Sequence, residues 1–455
     1  MNLNNNIFRE YDIRGIADLD FDGEFPFLLG KAFGTFVVKN KSKNIAVSGD
    51  VRLSTNRLKK DFIKGLKETG VNVIDIGVIP TPINYFSNFY LQIDGSVQIT
   101  GSHNPADYNG FKFTFQKKPF FGKDIQSLYK IMLQKKYVES RGGVTKIDVI
   151  DAYIKDIVSR FDINKKIRVL MDCGNAAGCI VAPQIFKKLN IEIEEMYCDV
   201  DGSFPNHHPD PTVDSNLDDL IARIKESTFD LGVAYDGDAD RVVCVDSNGN
   251  IIRSDVLMCL FIKDILKNSN KKIIYDVKCS SIVKNVILAK NGVPIEWKTG
   301  HSLIKSKMSL EKAIFGGEMS GHLFFADDYY GYDDAIYVSL RLIQILLKRN
   351  QSLLAMVSEI PKYFCTNELR FECEDDNRKF YIMKELEIFF KKKYKCSSID
   401  GVKVFINTGW GLLRASNTQP VIVCRLESKT SEGLDEIKSI FSSKLSEFRG
   451  IDFEF

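Results

Sequence analysis

At 455 residues the chain is too long for one ordinary hydrophobic core, and at roughly 100–200 residues per domain it should divide into three or four domains. Sixty-two Lys and Arg against sixty Asp and Glu leave a formal charge of +2, which excludes a global field that would draw nucleic acid or an anionic membrane, so any substrate must be recognised locally. The longest apolar run, 256–262, is far too short to span a bilayer, residues 1–6 are polar, and the ten cysteines are scattered without metal-ligand spacing; a cytoplasmic, soluble protein with reduced, mostly buried thiols is expected.

One grammar occurs three times: an apolar β-branched strand, an amphipathic helix, another strand, then a polar loop, which implies α/β layers. The first instance runs from Ile45-Ala46-Val47 through a helix over 55–69 and a strand over 71–76, and reaches a loop after Val97-Gln98-Ile99. The second places 167–171 before Gly174-Asn175-Ala176-Ala177-Gly178, then a helix, a strand over 191–196, and a loop after Leu231-Gly232-Val233-Ala234. The third starts with a helix over 255–266 and the strand Ile273-Ile274-Tyr275, and ends at Gly317-Glu318-Met319-Ser320-Gly321-His322. Ligands collect beyond the carboxyl ends of strands in open α/β sheets, so the three loops are expected to face one cleft. The remainder reads as α+β: a strand at 369–371, a long helix to 394, strands over 402–406 and 421–426, and a final helix over 434–448. The expected domains are 1–148, 149–251, 252–361 and 362–455, with a hinge near 362.

The first loop, Thr100-Gly101-Ser102-His103-Asn104-Pro105, reads as a strand-to-helix corner, with Asn104 as cap and Pro105 at the first helical position, so that a helix N-terminus would favour phosphate at Ser102. Alone, Ser102 reads more readily as an ordinary turn serine, and its surroundings shift that balance. After a turn at Asn109-Gly110, alternation puts Phe111, Phe113 and Phe115 on one face and Lys112 with Thr114 on the other. The second loop holds Asp236, Asp238 and Asp240 at period two, with Gly237 and Arg241. A calcium loop would want glycine and glutamate where Arg241 and Ser247 stand, so that reading fails. Three converging carboxylates repel unless a cation joins them, and they suit Mg²⁺. With a phosphoserine of about −1.5 to −2 beside them, further cations are needed, and Arg241, Lys112 and Arg14 are the candidates.

In the third loop Glu318, Ser320 and His322 alternate, so three polar groups would project together as readers of sugar hydroxyls, with a capped turn as the plain alternative. Lys278, Lys298 and His301 could add cationic contacts. Arg414-Ala415-Ser416-Asn417-Thr418 presents a guanidinium, two hydroxyls and an amide, a plausible phosphate anchor. All five histidines fall in polar loops, and His207-His208 receives no catalytic role.

These motifs resemble the α-D-phosphohexomutase family in its bacterial phosphomannomutase/phosphoglucomutase form. The resemblance rests on Tyr11-Asp12-Ile13-Arg14-Gly15, residues 100–105 with Gly110-Phe111-Lys112, residues 201–210, residues 236–241, residues 317–322 and residues 414–420, in the family's order. It implies a four-domain architecture, three similar mixed α/β domains and a C-terminal α+β (TATA-box-binding-like) domain around a central cleft. It further implies that Ser102 carries a phosphoryl group and, with Asp236, Asp238 and Asp240, binds Mg²⁺. The reaction implied is interconversion of hexose 1-phosphate and hexose 6-phosphate, mannose and/or glucose, through a hexose 1,6-bisphosphate. Arg14, Lys112, Arg241 and His322 are the implied catalytic groups, and Tyr11, Lys278, His301, Glu318, Ser320, Arg414, Ser416, Asn417 and Thr418 the implied substrate contacts.

Where relatives usually read Val-Gly-Arg-Asp-x-Arg, this chain has Val47-Ser48-Gly49-Asp50-Val51-Arg52, so Arg52 is read as structural. Small-molecule hexose phosphates are the expected partners of a monomer or weak homodimer, with no nucleic acid and no membrane. Phosphoglucosamine mutase and metal-dependent sugar phosphatase are the alternative activities; a glycosyltransferase and a silent sugar-phosphate sensor are the remaining classes.

Overall fold

The computed structural model describes residues 3–267, 269–416 and 420–455. They sort into two units, Met1–Ser254 with Ser320–Val357, and Asp255–Met319 with Ser358–Phe455.

The first unit carries two sheets. In the seven-stranded one, Asn44–Gly49 lies between Gly95–Ile99 and Asn72–Val78, both parallel to it, and Tyr108–Phe115 returns antiparallel to Gly95–Ile99. Ile13–Ile16 closes that edge against Tyr108–Phe115, pairing Arg14 with Gly110. Alternation along Tyr108–Phe115 works as expected: Phe111 and Phe113 enter a core with Phe33 and Phe62, Phe115 packs on it, and Lys112 faces the other way. Asn109-Gly110 is not a turn, however. Both residues lie inside the strand, where a Cβ on Gly110 would sit 2.4 Å from the Ile13 carbonyl oxygen. A close crossing imposes glycine there, not a bend.

The helices Phe25–Lys39 and Thr55–Lys67 also meet through glycine. A Cβ on Gly65 would lie 2.0 Å from the Phe27 carbonyl oxygen, a backbone atom that cannot swing away. Gly65→Ala should therefore destabilise the first unit by about 1–3 kcal/mol despite alanine's better helix propensity, seen as a lower denaturation midpoint. The second sheet runs Ile251–Ile252, Val242–Asp246, Leu231–Tyr235, Arg168–Asp172, Glu192–Met196; its last three strands are parallel, and a hairpin joins Leu231–Tyr235 to Val242–Asp246. Helices Thr81–Tyr90 and Asp218–Glu226 lie between the strands leading to the two loops, where the sequence reading placed none.

In the second unit Lys272–Asp276 is flanked in parallel by Val293–Trp297 and Phe315–Gly317. The C-terminal part is α+β as expected. Its antiparallel sheet includes Val402–Ile406, Gly409–Ala415, Val421–Ser428 and Leu369–Cys373, and its core is shared with helices Asp376–Lys393 and Ser431–Leu445. Asp375 and Thr430 cap these helices by accepting the Arg378 and Gly433 N–H groups, which sets where each begins. No helix among the described residues is long and apolar enough to cross a membrane. The cysteines are free thiols, most of them buried, with Cys365 exposed.

Candidate active site

The serine loop departs from expectation in one respect: no helix follows it. Pro105 opens a turn closed by Tyr108 N–H on its carbonyl at 3.0 Å, and the chain enters Tyr108–Phe115 directly. Asn104 cannot cap a helix because its side-chain oxygen accepts from Arg14 Nη1 at 3.0 Å. Ser102 is buried and held at φ +48°, a left-handed conformation unusual for a residue with a Cβ. Its N–H donates to Thr100 Oγ1 at 2.8 Å, and its hydroxyl donates to Asp236 Oδ2 at 3.0 Å.

The aspartates leave the strand Leu231–Tyr235 in a turn where Ala239 has φ +57°. All three are fully buried, and one carboxylate oxygen from each lies within 4.8 Å of the others. Asp236 Oδ1 accepts the Asp240 and Arg241 N–H groups, each at 3.1 Å. Asp238 Oδ2 accepts from the Thr81 hydroxyl and from Lys112 Nζ at 2.7 Å, and Lys112 also reaches Asp240 Oδ2 at 2.6 Å. Burial and then the neighbouring Asp240 and Asp238 charges push the Asp236 carboxyl well above the usual range. Burial would do the same to Asp238, but the Lys112 ammonium and the Thr81 hydroxyl outweigh it and hold that carboxyl low. Lys112 is the reciprocal case: burial lowers its pKa, yet Asp238 and Asp240 carry it upward, so it stays an ammonium. Asp238 Oδ1 and Asp240 Oδ1 are buried and accept no hydrogen bond from the described residues. Oxygen-only donors with open lone pairs fit a hard divalent cation such as Mg²⁺.

Arg14 is buried, not a surface ion pair. Its Nη1 donates to the Gly101 carbonyl at 2.5 Å and its Nη2 pairs with Asp12, so it ties the edge strand to the serine loop. Tyr11 is half-buried in the bend just before that strand. Arg241 Nε donates to His322 Nε2 at 2.9 Å and lies 3.8 Å from Asp236 Oδ2. His322 Nδ1 is 2.9 Å from Asp333 Oδ2 and 3.5 Å from Asp240 Oδ1. Ser102, Asp236, Asp238, Asp240, Lys112, Arg14, Arg241 and His322 thus share one neighbourhood in the first unit. Thr81 and Asp333 belong to it as well, and sequence reasoning missed both. The only available signals were Pro80-Thr81-Pro82 as a helix start and Asp333-Asp334 before an apolar helix.

The third loop is a turn at 319–320, with Gly321 at φ +95°, not an extended run that projects three groups together. Ser320 and His322 belong to the first unit and Glu318 to the second, where its carboxylate accepts the Gly300 N–H. His301 opens the helix His301–Glu311, so it is not a loop histidine, and Lys298 is exposed just before it. Lys278 is buried and donates to Glu368 at 2.8 Å. Burial would lift the Glu368 carboxyl, but Lys278 outweighs it and lowers it to about 2. Arg414 lies next to the end of the strand Gly409–Ala415, and its Nε donates to Asp400 at 3.0 Å. Ser416 N–H donates to the Val421 carbonyl at 2.9 Å, while Asn417 and Thr418 lie outside the described residues.

Fold and site together define a multidomain α/β protein in which a buried serine faces an acidic cluster that could hold a cation. The phosphoglucomutase/phosphomannomutase family matches in four successive parts: α/β/α domain I over residues 5–139, domain II over 151–249, domain III over 253–364 and the C-terminal domain over 368–443. A phosphomannomutase/phosphoglucomutase of Pseudomonas putida is 41% identical over 445 residues, covering 97% of this chain and 96% of the relative. A phosphoglucomutase of Neisseria meningitidis is 36% identical over 447 residues, covering 97% of each chain. The crystal structure of a phosphoglucomutase/phosphomannomutase family protein from Burkholderia thailandensis superposes with a TM-score of 0.92 at 36% identity, covering 97% of each chain. The chain belongs to the phosphoglucomutase/phosphomannomutase family and has the phosphohexomutase fold.

Proposed function

We propose that this protein is a phosphohexomutase that interconverts hexose 1-phosphate and hexose 6-phosphate, with mannose and/or glucose as the sugar. The observation that carries this reading is the Ser102 hydroxyl set 3.0 Å from Asp236 inside a buried group of three carboxylates and one lysine. In this reading Ser102 holds a phosphoryl group at rest and gives it to the free hydroxyl of the sugar phosphate. The P–Oγ bond breaks, a P–O bond to the sugar forms, and the hydroxyl proton passes to a neighbouring base, leaving hexose 1,6-bisphosphate. After the sugar turns over, its other phosphate returns to Ser102 and restores the phosphoserine.

Asp236, Asp238 and Asp240, with one phosphoserine oxygen, would hold Mg²⁺, which when bound supplies positive charge to the phosphoryl oxygens. Lys112, Arg14 and Arg241 balance the remaining negative charge; Arg14, Lys112 and His322 are the candidates for proton transfer, of which the Lys112 ammonium can only give a proton up, and Arg14 is assigned to positioning and charge stabilisation. Arg414, Ser416, Asn417 and Thr418 are assigned to the substrate phosphate, Glu318 and Ser320 to the hydroxyls, and Tyr11, Lys278 and His301 to further substrate contacts. Four domains, 1–148, 149–251, 252–361 and 362–455, a cytoplasmic location and a monomer or weak homodimer belong to the same reading.

The test is one assay series that compares kcat/KM for glucose 1-phosphate, mannose 1-phosphate and glucosamine 1-phosphate while free phosphate is followed. Turnover of the first two to 6-phosphates without stoichiometric phosphate release is the expected outcome. A dominant glucosamine activity, or one phosphate released per turnover, would replace this reading with the mutase or phosphatase alternative.

A further inference from the structure

Residues 201–210 and Arg52 have no part in the chemistry above, yet they converge on the serine loop. The Arg52 side chain has no solvent exposure and spends its guanidinium on backbone carbonyls of that loop: Nη2 donates to Ser102 O at 2.7 Å and Asn104 O at 2.5 Å, Nη1 to Tyr108 O at 3.0 Å and to Pro105 O. Asp50, 3.2 Å from Arg52 Nε, completes the frame by accepting the Thr100 hydroxyl at 2.7 Å and the Gly101 N–H at 3.2 Å. Gly101 is forced by the same packing, since a Cβ there would lie 2.4 Å from the guanidinium carbon.

The segment 201–210 covers this frame. The Phe204 ring lies over the guanidinium, 5.1 Å from its carbon to the ring centre, and a Cβ on Gly202 would meet the Val51 carbonyl oxygen at 2.3 Å. His208 hydrogen-bonds the His103 backbone, and the Pro209 carbonyl accepts the Gly237 N–H at 3.1 Å. Gly237 in turn passes so close to the serine loop that a Cβ on it would sit 2.2 Å from Ser102 O. One short segment therefore touches both the loop that carries Ser102 and the loop that carries the aspartates.

We infer that Arg52, capped by Phe204, is a positioning residue that holds Ser102 in its left-handed conformation and fixes its distance from Asp236. A non-glycine residue at positive φ is strained and persists only where its surroundings impose it. Four charge-assisted bonds to carbonyls, shielded from water by an aromatic face, are a sufficient imposition. Lysine cannot replace arginine here, because three donors on one nitrogen cannot span carbonyls that a planar fork reaches. The inference rests on the reading of Ser102 as the phosphoryl carrier.

Arg52→Lys is expected to lower kcat about 100-fold with KM nearly unchanged, the effect of displacing a reacting group by about an ångström. Phe204→Ala should lower kcat about tenfold. In Arg52→Ala, added methylguanidinium should restore part of kcat, and less of it when Phe204→Ala is also present. Phe62→Leu, a core change on the helix Thr55–Lys67, supplies a matched loss of thermal stability without a change in kcat per folded molecule. Intact mass reports phosphate on Ser102 in each variant. Full phosphorylation of Ser102 with normal kcat in Arg52→Lys, a loss confined to KM, or a kcat loss equal to that of Phe62→Leu would overturn the positioning role alone. Wild-type enzyme that turns over without ever carrying phosphate on Ser102 would overturn the functional reading beneath it.

Discussion

Ser102→Ala should abolish isomerisation, with kcat reduced about 10⁴-fold or more, while the protein keeps its fold. Removing a nucleophile that forms a covalent intermediate eliminates the route, so losses of this size are usual. Stability should move little, because the backbone frame around residue 102 is made by Arg52 and Asp50 and does not use the hydroxyl. Ser102→Gly separates the two properties further. Its φ of +48° suits glycine and strains alanine, so relief of backbone strain should match or exceed glycine's extra unfolded-state entropy, and the thermal midpoint should stay at or above that of Ser102→Ala while activity is equally lost. Turnover near wild-type in either variant would rule out the phosphoserine route.

How much of this was legible beforehand depends on the range of the interactions involved. The strand Tyr108–Phe115 announced both of its faces, because a period of two is a local property: three phenylalanines for the core and Lys112 for the other side. The aspartate loop was legible for the same reason, since three carboxylates at period two around a glycine cannot form a helix face. The serine loop was read correctly as to its residue and incorrectly as to its shape. Asn104 and Pro105 are genuine helix-start signals, but Arg14, ninety residues earlier, takes the Asn104 oxygen, and the sheet takes the backbone from Tyr108 onward. Asn109-Gly110 misled in a parallel way, because glycine there serves a strand crossing. Thr81 and Asp333 were invisible because only tertiary contact brings them to Asp238 and His322. At 319–320 the turn named as the alternative is what forms, because alternation of polar residues alone does not distinguish an extended loop from a turn when Gly321 can adopt positive φ.

Lys112→Met should reveal what balances the aspartate cluster. In the wild type the ammonium bridges Asp238 Oδ2 and Asp240 Oδ2 at 2.7 and 2.6 Å, leaving the two Oδ1 atoms open to a second cation. Lysine and metal ion therefore need not compete for the same lone pairs, and chelation of wild-type protein should remove activity with only a small fall in thermal midpoint. Methionine keeps most of the lysine's apolar volume but leaves the buried Asp238 and Asp240 carboxylates without the ammonium that pairs them, a loss of the kind that costs about 3–5 kcal/mol when one partner of a buried pair is deleted. Activity should also fall about 10²–10³-fold, as for removal of a preorganised electrostatic group. The diagnostic is the metal dependence of stability: millimolar Mg²⁺ should raise the midpoint of Lys112→Met far more than that of wild type, because binding to the folded state alone adds stability in proportion to the logarithm of saturation. Equal Mg²⁺ responses in the two proteins would mean that Lys112 is not the countercharge of the cluster.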